Sequence, residues 1–247
     1  RGVVPIRFGA ESLGGAVNFV TRELEFGTAL ELSTEVASFG TLRASSVGRI
    51  VLSPNHGIYL DIDAFYDRTD NDYEVDVELT DERGRLYPAT VRRFHDGYEG
   101  LGLGLEVGTN RRRSWADLLS ISAFASTVDK EIQHNVRMTV PYGDVIRGEN
   151  GYGTTLHYLR RDRLTSPFGV ELVASYVYRE AFFDDVSHNL WDWTGDVIAR
   201  RANPGEVSRG SRTRSAEHQV YGRLDLAYRL GEHHRFELNT APGYTHQ

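Results

Sequence analysis

Apolar and polar residues alternate with a period of two through most of this 247-residue chain. Ile58, Leu60, Ile62, Ala64 and Tyr66 fall on one side of an extended backbone, and Tyr59, Asp61, Asp63, Phe65 and Asp67 on the other. Leu101, Leu103, Leu105 and Val107 alternate with Gly100, Gly102, Gly104 and Glu106. The same pattern recurs through Leu119–Ser126, Glu171–Arg179 and Gln219–Leu230. A period of two is that of a strand with two unlike faces, and helical periodicity is weak throughout. The pattern predicts about nine strands, near 28–38, 41–53, 57–68, 97–108, 115–127, 152–162, 168–180, 217–230 and 234–245. Most of these span about 10–13 residues, whereas strands of soluble proteins usually have about 5–6. A tilted strand crossing a bilayer needs about 9–11.

The connections divide by parity. Every second one is short: Pro54 to Gly57, Asn110 to Ser114, Thr165 to Phe168 and Gly231 to His234. Three of the others are expected as long loops, Thr69 to Asp96, Val128 to Gly151 and Ala181 to Ala216, while the turn at Phe39-Gly40 is short. Short turns on one rim and long loops on the other are the asymmetry of outer-membrane barrels. A β-sandwich has no reason to sort its loops in this way.

Composition narrows the function. A net charge of −7 argues against a nonspecific nucleic-acid partner, which needs a basic field. Mean hydropathy is −0.43 and no apolar run is long enough for a transmembrane helix. Alternating barrel strands keep such an average low even inside a membrane. Without cysteine there is no disulfide framework and no thiolate metal site.

The first 22 residues, RGVVPIRFGAESLGGAVNFVTR, place Gly14-Gly15 immediately before a short β-prone run. Paired glycines permit positive φ and close backbone approach. Arg7, Phe8, Gly9, Ser12, Gly14, Gly15, Val17, Asn18, Phe19, Thr21 and Arg22 stand at the spacing of a known seam. It resembles the junction of plug and barrel in the TonB-dependent outer-membrane receptors. The resemblance implies that residues 1–22 are the C-terminal end of a plug domain. It also implies that residues 28–247 are the N-terminal part of a transmembrane antiparallel β-barrel, whose family form has 22 strands. The expected fold is thus all-β, a partial barrel of about nine up-and-down strands in an internal fragment of a longer protein. The implied activity is import of a scarce nutrient with energy from TonB, which acts on a segment absent here. The stretch Thr90–Asp96 resembles one in some members of the same family, and the wording GGAVNFVTR is similar to receptors for ferric citrate and related iron chelates.

No catalytic constellation, metal site or cofactor site is expected. Leu101–Leu105 contains alternating glycines but lacks the βαβ setting of a dinucleotide loop. His95-Asp96 and His233-His234 have no third ligand at metal spacing. Asp61, Asp63 and Asp67 read as hydrated charges on a lumen wall. The long loops carry the candidate ligand residues Arg92, Arg93 and His95, with Trp191, Trp193, Arg200 and Arg201. Arginine and aromatics suit an anionic, partly planar chelate through bidentate hydrogen bonds and stacking; solvated loops touching lipopolysaccharide are the alternative. Tyr66, Tyr98, Tyr176, Tyr178 and Tyr228 are candidates for interfacial girdles. Two other classes stay open: a passive porin-like barrel, and a soluble carbohydrate-binding β-sandwich or solenoid.

Overall fold

The structure is a computed structural model, describing residues 27–81, 83–111, 115–163, 166–231 and 233–247. The seam residues Arg7, Phe8, Gly9, Gly14, Gly15, Asn18 and Thr21 lie outside these. Every regular element described is a strand. The main strands are β1 (Ala29–Ala37), β2 (Thr41–Ser53), β3 (Ile58–Thr69), β6 (Tyr98–Thr109), β7 (Leu118–Glu131), β8 (Ile146–Arg160), β9 (Phe168–Asp185), β12 (Ser211–Leu230), β13 (His234–Thr240) and β14 (Gly243–His246). They form one ten-stranded antiparallel sheet in the order β1-β2-β3-β6-β7-β8-β9-β12-β13, with β14 also paired to β12. The sheet is open, with β1 at one edge and β13 and β14 at the other.

Register carries the alternation of each strand across the whole sheet. One row reads Ile50, Leu60, Val107, Ile121, Leu156, Ala174, Gly222 from β2 to β12. The adjacent row reads Arg49, Asp61, Glu106, Ser122, Thr155, Ser175, Tyr221. A slip of one residue in any pair would mix these faces. Leu101, Leu103 and Leu105 are 52%, 47% and 41% exposed. Leu224 and Leu226 are half-buried, flanked in their own plane by Leu172 and Val170 of β9. All substantial contacts between elements join strands that pair, so among the described residues no second sheet packs over the leucines.

The opposite face is charged and internally paired. Arg49 grips Asp61 through two bonds of 2.6 Å, and its guanidinium lies 4.2 Å over the Tyr59 ring. Tyr59 donates to Glu106 Oε1 at 2.6 Å. Gly102, Gly104 and Gly108 of β6 leave room on this face for Phe65, Asp63 and Tyr59 of β3, where a Cβ would collide.

Because the sheet is a meander, successive connections alternate between its rims. One rim has the connections 54–57, 110–117, 161–167 and 231–233; the other has 38–40, 70–97, 132–145 and 186–210. Several expectations need correction. The segment 69–96 is not a plain loop: β4 (Glu74–Thr80) pairs with β5 (Leu86–Arg92). β10 (Asn189–Trp191) and β11 (Val197–Arg200) form a second hairpin. β8 starts at Ile146, β9 runs to Asp185 and β12 starts at Ser211, so the ladder extends well into the expected loops. The strand expected at 234–245 is interrupted at Ala241-Pro242, although Thr240 opposite Leu224 and Gly243 opposite Tyr221 keep one register. Proline has no N–H for the ladder. Tyr66, Tyr176, Tyr178 and Tyr228 lie on the leucine face, but Tyr98 pairs with Thr69 and Lys130 on the polar face.

Candidate functional site

The tightest packing is at the long-loop rim, outside the large sheet. Val145 is fully buried and Gln133 is 1% exposed; Tyr142, Trp193, His95, Asp96, Asp185 and Glu206 are buried with them. Loops must bury their backbone polar groups against side-chain partners when they pack this closely. Here carboxylates and one amide supply those partners.

Gln133 Oε1 accepts the backbone N–H groups of Phe94 and His95, both at 2.6 Å. His95 Nε2 faces the Val145 carbonyl oxygen at 2.9 Å and therefore donates to it. Its Nδ1 lies 3.5 Å from Glu131, which also accepts the Gly97 N–H at 2.9 Å. Arg93 donates to Asp96 at 2.6 Å and to His134 Nε2 at 2.6 Å, and stacks 4.8 Å over Tyr73. His134 Nδ1 then donates to the Asn135 carbonyl at 2.7 Å. Lys130, at the top of β7, donates to Asp96 at 2.7 Å. Loops 70–97 and 132–145 are thereby joined.

A second set joins loop 132–145 to loop 186–210. Asp144 Oδ2 accepts from Ser187 Oγ at 2.6 Å and from Asn189 Nδ2 and Trp191 Nε1 at 3.0 Å each. Burial pushes this carboxyl up, but the three donors outweigh burial and hold it below the usual carboxylate range. In return, Glu206 Oε2 accepts the N–H groups of Gly143 at 2.8 Å and Asp144 at 3.3 Å. Burial dominates at Glu206 and raises its pKa. Asp185, 1% exposed at the end of β9, accepts the N–H groups of Glu206, Val207 and Ser208 and so fixes the loop that carries Glu206. Burial, followed by the charges of Asp185 and Glu206, raises the Tyr142 phenol.

The structure brings four of the expected ligand residues into this cluster. Arg93, His95, Trp191 and Trp193 are bound to one another's loops: Phe94 lies 5.7 Å from the Trp191 ring, and His134 lies 6.0 Å from Trp193. Arg92 and Arg200 stand apart, while Arg201 lies close enough to Tyr142 to act on its phenol. Arg92 is exposed and pairs with Asp72 at 3.1 Å; Arg200 is exposed on β11; Arg201 donates to the Gly205 carbonyl at 2.8 Å. Sequence reasoning did not single out Gln133, Asp144, Asp185 or Glu206. Gln133, Asp144 and Glu206 lie in loops and Asp185 ends β9, and only the fold decides that each turns inward.

Chemically, the rim is a hydrogen-bonded scaffold that displays Arg92 and Arg200, with Arg93 Nε, Gln133 Nε2 and Glu206 Oε1 buried without a hydrogen-bond partner among the described residues. Among the described residues no three acidic or histidine side chains converge as a metal cluster. No helix is long and apolar enough to cross a membrane, which does not bear on strands. No protein-family model and no curated protein matches this chain.

Proposed function

We propose that this chain is a section of a TonB-dependent outer-membrane receptor, with residues 28–247 in the barrel wall and residues 1–22 ending the plug. The observation that carries the reading is the division of the sheet into an uncovered leucine face and a paired, charged face. Lipid on the first and water with a polar stopper on the second satisfy both. Loops sorted by rim support the same orientation, with the Gln133 and Glu206 cluster on the extracellular side. Further strands of the longer protein close the wall, because open edges do not persist in hydrocarbon.

The cargo is a scarce anionic nutrient, a ferric chelate of the siderophore or ferric citrate type. The buried loop residues hold the rim in shape and the exposed Arg92 and Arg200 meet the ligand. Import draws energy from TonB and involves no covalent step. A soluble sandwich would need a second sheet over Leu101, Leu103 and Leu105. Residues 8–21, whose position separates a plugged receptor from a passive barrel, lie outside the described residues.

The test is to express the full open reading frame in a Gram-negative host starved of iron. The expected result is recovery in the outer-membrane fraction and uptake of labelled ferric chelate that stops when TonB is deleted. Uptake unchanged without TonB, or a monodisperse soluble protein without detergent, overturns the reading.

A further inference from the structure

Two carboxylates join loops 132–145 and 186–210 reciprocally. Asp144 of loop 132–145 holds three donors of loop 186–210, and Glu206 of loop 186–210 holds two backbone donors of loop 132–145. The carboxylates differ in one respect. Every donor on Asp144 converges on Oδ2, whereas Glu206 Oε1 is buried and accepts no hydrogen bond among the described residues. An ionised carboxylate with a buried, unmatched oxygen is unfavourable, and a protonated one places a neutral hydroxyl there.

We propose that loops 132–145 and 186–210 form a proton-tuned latch, closed when Glu206 is neutral and Asp144 is ionised. The charged and titratable groups facing Glu206 are Asp144 and Tyr142 from one loop, His95 from loop 70–97, and Asp185 at the end of β9, which accepts the Glu206 N–H; Arg201 acts on Tyr142. Asp144 favours the proton on Glu206, and His95 opposes it.

The two arms of the latch have opposite signs. A carboxyl raised in the closed state stabilises closure below its ordinary pKa, and this is lost as pH rises through the raised value. A carboxyl lowered in the closed state stabilises closure above its ordinary pKa, and this is lost as pH falls through the lowered value. Closure is therefore strongest in a mildly acidic window between them. On either flank, the closed-to-open ratio falls by up to about tenfold per pH unit.

The chain has no cysteine, so paired spin labels attach cleanly. Val136→Cys with Ile198→Cys labels exposed sites on the two loops, and Ser33→Cys with Thr154→Cys labels the sheet as a control for unfolding. Distance distributions are read on the full-length protein in detergent from about pH 2 to about pH 9. The loop pair is expected to be narrow in the acidic window and to broaden on both sides, while the sheet pair stays constant. Glu206→Gln, which keeps an acceptor without charge, removes the alkaline broadening; Asp144→Asn removes the acid broadening and weakens closure throughout. A flat wild-type profile, or alkaline broadening that persists in Glu206→Gln, overturns the latch. The wild-type profile needs no variant to fold.

Discussion

Gln133 carries more of the loop rim than its position between two histidine-bearing segments indicates. One amide oxygen satisfies two buried N–H groups on another loop. Gln133→Ala leaves both donors buried without a partner, at about 1–3 kcal/mol for each orphaned group. Hydrogen exchange at the Phe94 and His95 amides is therefore expected to accelerate at least about tenfold. An unchanged rate would mean that water replaces the amide. Arg200→Ala is expected to change stability by no more than about 0.5 kcal/mol, because the side chain is solvated. In the proposed receptor it lowers chelate affinity instead, which a binding titration measures. At this scale the sequence was informative about residue type only. Arginine, histidine and tryptophan in the loops marked the rim that packs most closely, but packing turned Arg93, His95, Trp191 and Trp193 into scaffold. The carboxylates that organise the rim have no motif around them, because their partners lie about 40–60 positions away.

Strands were legible where period-two alternation was strong, as in β3 and β6. The β4–β5 hairpin was expected as loop although its signal was present: Glu74-Val75-Asp76-Val77-Glu78-Leu79-Thr80 alternates through all seven residues, and Asp81 and Gly84 mark its turn. The extensions of β8, β9 and β12 were not legible, because charged and glycine-rich stretches such as Arg147–Gly151 have weak strand propensity and are ordered by their neighbours. The hairpin turn makes a pH prediction. The Arg85 N–H, with the Arg83 N–H and the Arg85 side chain, holds the Asp81 carboxyl below its usual range despite slight burial pressure. Its contribution is present above the unfolded pKa and is lost as pH falls through the folded one. Protection of the turn amides, relative to their intrinsic exchange rate, should fall below about pH 4 and do so less in Asp81→Asn. On β6, Gly102→Ala drives a methyl into the Phe65 ring, and a loss of about 1–3 kcal/mol in urea unfolding is expected. An Ala variant as stable as wild type would show that the Phe65 ring turns aside freely.

For the whole molecule, the two faces of one sheet must meet different media. Leu103 and Leu105 sit in the middle of the uncovered face, between Ala64 and Ala125 and between Ile62 and Ala123. If hydrocarbon wets that face, Leu103→Arg costs about 2–4 kcal/mol of membrane-inserted stability. Ser122→Arg on the opposite face costs much less. Refolding into lipid vesicles at graded urea concentrations compares the two. Equal tolerance of arginine on both faces would remove the basis of the receptor reading. The all-β character and the meander were readable from sequence because register simply transmits each strand's own alternation. The absence of a covering layer was not, since period two is the same whether oil, water or a second sheet lies beyond.

The interlocked rim also affects how such a protein can change. Loops 70–97, 132–145 and 186–210 each borrow their hydrogen-bond partners from another, so none is a self-standing module. A single loop transplanted onto a different scaffold would leave several amides and carboxylates without their counterparts and lose its shape. Variation at this rim is therefore confined to the outward tips, such as Val136 and Ile198, unless all three segments are exchanged as a set.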